Sequence, residues 1–189
     1  ELYDQLMESV AETSEEFMEK FFSGESFTYA EIMQGLRSGV RDCSLVPVVC
    51  GSSFTGLGTL MLLDFIVDLL PNPLEGVPAS ATNKDGERED FIVSQGAVPA
   101  AFVFKTVADQ YGKFSFVKVV SGSLTSDMTL VNAASGQNEK LGRLYIMKGK
   151  KSEEVKELGC GDIGAIGKMD RIKTGDTLCD ARKFVKLDP

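Results

Sequence analysis

The residues best suited to chemistry in this 189-residue chain form one short turn, Gly51-Ser-Ser-Phe54, between an apolar run ending at Cys50 and a helix-forming stretch from Leu57. A tight strand-to-helix turn leaves backbone N–H groups free, and these can donate to a carbonyl such as guanine O6. A plain connecting turn has the same composition, so both readings stand at this level. Three other stretches have the spelling of nucleotide motifs without the setting. Gly159-Cys-Gly161-Asp-Ile-Gly164 satisfies G-x-G-x-x-G, but a polar Lys/Glu stretch precedes it and a strand pattern follows. A dinucleotide site needs a strand before it and a helix N-terminus after it. This one reads as a turn entering a strand, with glycines where backbones approach closely. Asn83-Lys-Asp-Gly86 and Gly167-Lys-Met-Asp170 approximate the guanine-reading Asn-Lys-x-Asp. The first has its Asp one place early, and the second has Gly where an amide is required.

What is missing narrows the chemistry further. No G-x-x-x-x-G-K-[ST] loop occurs, so nothing in the sequence cradles the β- and γ-phosphates or holds their magnesium. Histidine is absent, which disfavours Ser-His and Cys-His nucleophiles and most zinc catalysis. Cys43, Cys50, Cys160 and Cys179 lie far apart with no C-x-x-C pair and read as reduced thiols of a cytosolic protein. The expectation is a chain with no catalytic residues, no metal ligands and no enzyme activity of its own.

These residues sit in two unlike halves. Residues 1–96 carry 17 acids and 5 bases, residues 97–189 carry 11 acids and 15 bases, and the whole has a net charge of −8. In the acidic half, apolar positions recur at helical spacing and predict helices near 1–12, 14–22 and 29–38, the last two ended by Gly24 and Gly39. Thr13 with Glu16, and Thr28 with Glu31, have the form of capping boxes. Ser44 to Cys50 then reads as a strand buried on both faces, blemished by Pro47, and Leu57 to Leu70 as a helix stopped by Pro71. One buried strand cannot make a sheet, so its partners are expected upstream. The start at Glu1, with neither Met nor a signal segment, reads as a boundary inside a longer protein. The longest apolar run, Leu60 to Leu70, is broken by Asp64 and Asp68 and falls well short of the roughly 20 residues that cross a bilayer.

Residues 71–96, with Pro71, Pro73 and Pro78, read as an exposed linker. From 97 onward, short alternating strands recur: Ala101 to Val107, Lys113 to Ser121, Met128 to Asn132, Lys140 to Met147, Asp162 to Lys168 and Thr177 to Cys179. That spacing without helices predicts a closed antiparallel barrel over 97–189. The fold class expected is therefore α+β: N-terminal helices with one orphan α/β strand, then an antiparallel β-barrel.

The run from Leu45 to Phe54, followed by Gly56-Leu-Gly58, Leu62-Leu-Asp64 and Asp68-Leu-Leu-Pro-Asn-Pro73, resembles the end of the GTP-binding domain of elongation factor G. The similarity continues through Gly112-Lys113, Val120-Ser-Gly122, Leu144, Cys160-Gly-Asp162 and Thr174-Gly-Asp-Thr-Leu-Cys-Asp180. The resemblance implies that residues 1–70 close a GTP-binding domain and its inserted subdomain, and that the barrel is domain two. It makes Ser52, Ser53 and Phe54 the guanine-edge turn, with the Ser53 N–H as donor to O6. It implies GTP and magnesium as cofactors of the parent protein, with none held by this chain. The ribosome is the implied partner, through small-subunit RNA, in a cytoplasmic protein that couples GTP hydrolysis to movement of tRNA and mRNA. Arg143, Lys148, Lys150 and Lys151 are the candidate RNA contacts, since phosphate contacts need little more than positive charge near one strand end. Asp127 where the family has a turn glycine, Lys148 in place of a histidine, and Met169-Asp-Arg-Ile-Lys173 in place of threonines leave a ribosome-protection or release-type paralogue as an alternative. A further alternative is an acidic protein-interaction module in the first half. No membrane or DNA partner is expected, and the chain is expected to be monomeric.

Overall fold

The computed structural model describes residues 1–76, 78–109 and 112–188, and the chain divides into two compact units, Glu1–Val77 and Pro78–Pro189. The first unit holds helices α1 (Leu2–Ala11), α2 (Glu15–Phe22), α3 (Tyr29–Arg41) and α4 (Thr59–Leu69). The Thr28 capping box is complete: Thr28 Oγ1 accepts from the Glu31 N–H at 3.3 Å, and Glu31 Oε2 accepts from the Thr28 N–H at 2.7 Å. The Thr13 box expected for α2 does not form. Thr13 Oγ1 donates back to the Val10 carbonyl at 2.7 Å, and the cap is Ser14, whose Oγ accepts from the Phe17 N–H at 3.2 Å. Thr13 is thus spent on the end of α1.

Helix α2 ends in a Schellman motif, with the Glu25 N–H on the Lys20 carbonyl, the Gly24 N–H on the Phe21 carbonyl, and Gly24 at φ +78. Helix α3 passes through Gly39, the expected stop, because this glycine serves packing. A Cβ there would lie 2.8 Å from Leu45 Cβ, and one at Gly35, a turn earlier, 2.8 Å from Val10 Cγ1 of α1. The stop comes at Cys43, held at φ +60. Met7, Val10, Phe17, Phe27, Leu36 and Leu69 form the core, with Phe17 and Phe27 edge to face at 5.6 Å. Residues 44–50, expected as a strand without sheet partners, have none among the described residues and make no ladder. A strand exists only through pairing, and this unit offers no second strand. Consequently Val46 and Val48 are 78% and 87% exposed. Helix α4 is apolar nearly all round yet buries only Leu69 fully.

Thirteen strands among the described residues build the second unit: β1 (Ala79–Thr82), β2 (Arg88–Phe91), β3 (Ala100–Asp109), β4 (Gly112–Ser121), β5 (Leu124–Thr125), β6 (Thr129–Asn132), β7 (Asn138–Lys140), β8 (Leu144–Lys148), β9 (Lys151–Val155), β10 (Glu157–Leu158), β11 (Ile163–Gly167), β12 (Thr177–Cys179) and β13 (Lys186–Leu187). The main sheet runs β7-β6-β12-β3-β4-β11-β8-β9, beside a β5–β10 ribbon and a sheet β13-β1-β2. Side chains alternate between faces, so one sheet serves two cores. Val103, Val117, Leu130, Leu144, Ile166 and Leu178 face inward with Leu124 and Leu158 of the ribbon. Residues from both halves of the sheet and from the ribbon share this core, so the sheet curls into a barrel-like fold. Ala100, Val120 and Cys179 face the other way, into a second core with Ala81, Phe91 and Leu187 of the three-stranded sheet. The β3–β4 register shifts twice, between Ala100 and Ala101 and between Val103 and Lys105.

Residues 71–96, expected as a linker, contain the β1–β2 hairpin. Its turn is Asn83-Lys-Asp-Gly86, where Asn83 Oδ1 accepts from the Asp85 and Glu87 N–H groups at 3.0 Å and Gly86 sits at φ +83. This motif is structural, as is Gly159 to Gly164, which links β10 to β11. A Cβ at Gly164 would lie 2.5 Å from Leu158 Cδ1 and 3.0 Å from the Tyr145 carbonyl oxygen. The predicted strand over Lys140 to Met147 is two strands, β7 and β8, parted at Gly142. Asp127 adopts the left-handed turn conformation at φ +64.

Candidate functional site

The Gly51–Gly58 loop is folded by its own backbone. Ser52 N–H donates to the Leu57 carbonyl at 2.9 Å, Gly56 N–H to the Ser52 carbonyl at 2.8 Å, and Thr55 N–H to Ser52 Oγ at 3.3 Å. Gly58 caps α4 at φ +79, and a Cβ there would meet the Cys50 carbonyl oxygen at 2.8 Å, so only glycine closes the loop without strain. Ser52 is therefore a turn builder. Ser53 lies exposed at the tip, and its N–H donates to nothing among the described residues. Phe54 beside it is 98% exposed. At its tip the loop thus offers the N–H groups of Ser53 and Phe54, neither of which donates to a described residue, and one bare ring, and a single contact from such an N–H to the edge of a base is worth about 1 kcal/mol net.

The four predicted RNA contacts all fall on or beside the β8–β9 hairpin but not in one cluster. Lys148, Lys150 and Lys151 gather at its tip, where Lys148 and Lys151 pair directly across the ladder and Gly149, at φ +62, opens the two-residue turn. Arg143 stands at the opposite end of β8. Two of the four charges are already engaged. Lys148 Nζ bonds Glu153 Oε2 at 2.8 Å, and Arg143 Nη1 bonds Glu154 Oε2 at 3.2 Å. The shared hydrogen bond raises the Lys148 pKa and lowers that of Glu153. Lys150 and Lys151 form no ion pair among the described residues and remain the free charge of the tip.

Sequence reasoning missed Glu153 and Glu154. The available signal was the Lys148-Gly-Lys-Lys-Ser-Glu-Glu154 run, which a two-residue turn folds so that acids meet bases. The four cysteines are all free, and burial pushes the Cys160 and Cys179 thiols up. Among the described residues no Cys, Asp or Glu trio is grouped as a metal ion would need, and no helix is long and apolar enough to cross a membrane.

With this geometry, two likenesses to known proteins can be placed. Residues 99–181 match the family model of elongation factor G domain 2. The crystal structure of the protein ttk003000868 from Thermus thermophilus is similar over 94% of this chain, with a TM-score of 0.72 and 27% identity. The chain spans 24% of that protein's length. The family match covers most of the barrel-like unit, from β3 through β12, and the structural match extends across both units. Residues 99–181 are therefore similar, in sequence and in fold, to domain two of translation factors.

Proposed function

We propose that the chain is the ribosome-docking and relay segment of a translational GTPase of the elongation factor G type. The observation that carries this reading is the order of parts: a loop with a free N–H at Ser53 leads, in the same chain, into a barrel-like unit similar to elongation factor G domain 2. In this reading the exposed apolar surface of α4, Val46 and Val48 is the face that the rest of a GTP-binding domain covers. GTP and its magnesium belong to the longer protein, where Ser53 N–H donates to guanine O6, and the chain alone hydrolyses no GTP. Its place of work is the cytoplasm, on small-subunit RNA. Lys150 and Lys151 make the phosphate contacts, because Lys148 and Arg143 are held by glutamates.

Filter binding with small-subunit ribosomal RNA tests the reading. The expected result is an affinity that falls with salt and drops when Lys150 and Lys151 are both changed to Glu. Salt-independent retention, or full retention by the double variant, removes the hairpin tip from the argument. A GTP turnover above a protein-free blank would overturn the division of labour between this chain and its parent.

A further inference from the structure

Away from these sites, one face of the barrel-like unit bears a group of aromatic rings, of which Phe104 is exposed and Phe114, Phe116 and Tyr145 are half-buried. Its outward positions run in rows across the sheet: Lys105, Phe116, Ala165 and Tyr145 are successive cross-strand partners, as are Val107, Phe114 and Gly167. Small residues at 165 and 167 give the rings room to lean over the sheet. A Cβ at Gly167 would lie 3.2 Å from Tyr145 Cε2 and 3.8 Å from Phe114 Cε1. The rings pair as Phe114–Tyr145, centroids 5.6 Å apart, and Phe104–Phe116, 6.2 Å apart. Phe104 is the extra residue at the second register shift in β3, and it stays 40% exposed. Nearer Ala100 the same face is covered by the three-stranded sheet, while in its aromatic part Phe104, Lys105 and Val107 are exposed.

Charge distinguishes this patch from an ordinary apolar one. Lys105 and Lys118 are exposed beside the rings and form no ion pair among the described residues. Glu154, opposite Tyr145 on β9, is bound by Arg143. Lysine is depleted at protein–protein interfaces, whereas aromatic planes flanked by free cations suit unpaired bases, which stack on the rings while phosphates meet the charges. We infer that the outer face of β3, β4, β11 and β8 is a stacking platform for unpaired bases of single-stranded RNA, with Phe104 and Phe116 under the bases and Lys105 and Lys118 on phosphates. This surface is separate from the hairpin tip and needs no GTP-binding domain.

The test is fluorescence anisotropy of the full chain with a short unstructured RNA and an abasic strand of equal length. The intact strand is expected to bind and the abasic strand to bind far more weakly. Phe104→Ala and Phe104→Leu should each weaken binding of the intact strand about tenfold while Phe104→Trp retains it. Changing Lys105 and Lys118 to Gln should lower the salt slope by about 1.4. The Lys150→Glu, Lys151→Glu variant should preserve the difference between the two strands, which separates this platform from the hairpin tip. Equal binding of both strands, loss of the difference in that hairpin variant, Phe104→Leu matching the parent, or no binding at all would overturn the inference. The last two results would favour an apolar protein contact instead.

Discussion

At the scale of single residues, the strongest local anchor is Glu31. Its carboxylate closes the α3 capping box and takes the Lys20 ammonium at 2.6 Å, where both side chains are about three-quarters covered. Hydrogen bonding from Lys20 first, then from Thr28, holds its pKa down from 4.5 to about 2. A depressed folded-state value means the stabilisation is present above pH 4.5 and is lost as the pH falls toward 2. Helical circular dichroism against urea, repeated across this window, should show stability declining in the parent. Glu31→Gln should be less stable at neutral pH and flatter through the window. Identical slopes would show that the pair contributes nothing. Gly164 makes the second residue-scale prediction. Its Cβ would press on Leu158 and on the Tyr145 carbonyl, so Gly164→Ala should lower the stability of the barrel-like unit by about 1–3 kcal/mol, read as a lower urea midpoint.

At the scale of elements, α4 is the exception to burial. Leu60, Met61 and Val67 are 76%, 62% and 80% exposed, far more apolar surface than a helix of this length usually shows. A hydrophobic dye should therefore light up on the chain, and Leu60→Glu with Val67→Glu should reduce that signal without loss of helix content. Unchanged fluorescence would place the dye elsewhere. The same helix shows what a sequence discloses. Its apolar period was legible because the pattern is local, as were the Thr28 cap and the turn at Gly24. Strand β9 was not, since Lys-Ser-Glu-Glu-Val carries no apolar alternation and becomes a strand only through its ladder with β8. The hairpin β1–β2 hid for a similar reason: its Phe91 finds its core only when the distant β13 closes the sheet. At the candidate site, the free Ser53 N–H could be anticipated from the turn, whereas the neutralisation of Lys148 and Arg143 required the fold. Sheet edges are likewise a property of pairing. Strands β9, β7 and β2 end the sheets and carry Lys-Ser-Glu-Glu, Asn-Glu-Lys and Arg-Glu-Asp, charges that discourage a further strand.

At the scale of the whole molecule, two units with separate cores should unfold in two steps. Calorimetry is expected to resolve two transitions at neutral pH, with the helical one moving down first as acid reaches Glu31. A single transition unaffected by Glu31→Gln would contradict this division. The barrel-like unit has its own internal arithmetic, set by β3 and β4. Their two irregularities lie on opposite strands, one residue each: Ala100 pairs with Ser121, the pairs from Ala101 to Val103 run one step off, and Lys105 with Phe116 returns to the first count. In this sense Phe104 is a frameshift and Val120 its suppressor. Deleting Phe104 alone would set Lys105–Phe116 directly after Val103–Val117, so Lys105 would keep its outward place, the bulge would vanish, and the extra residue at Val120 would stand without its counterpart.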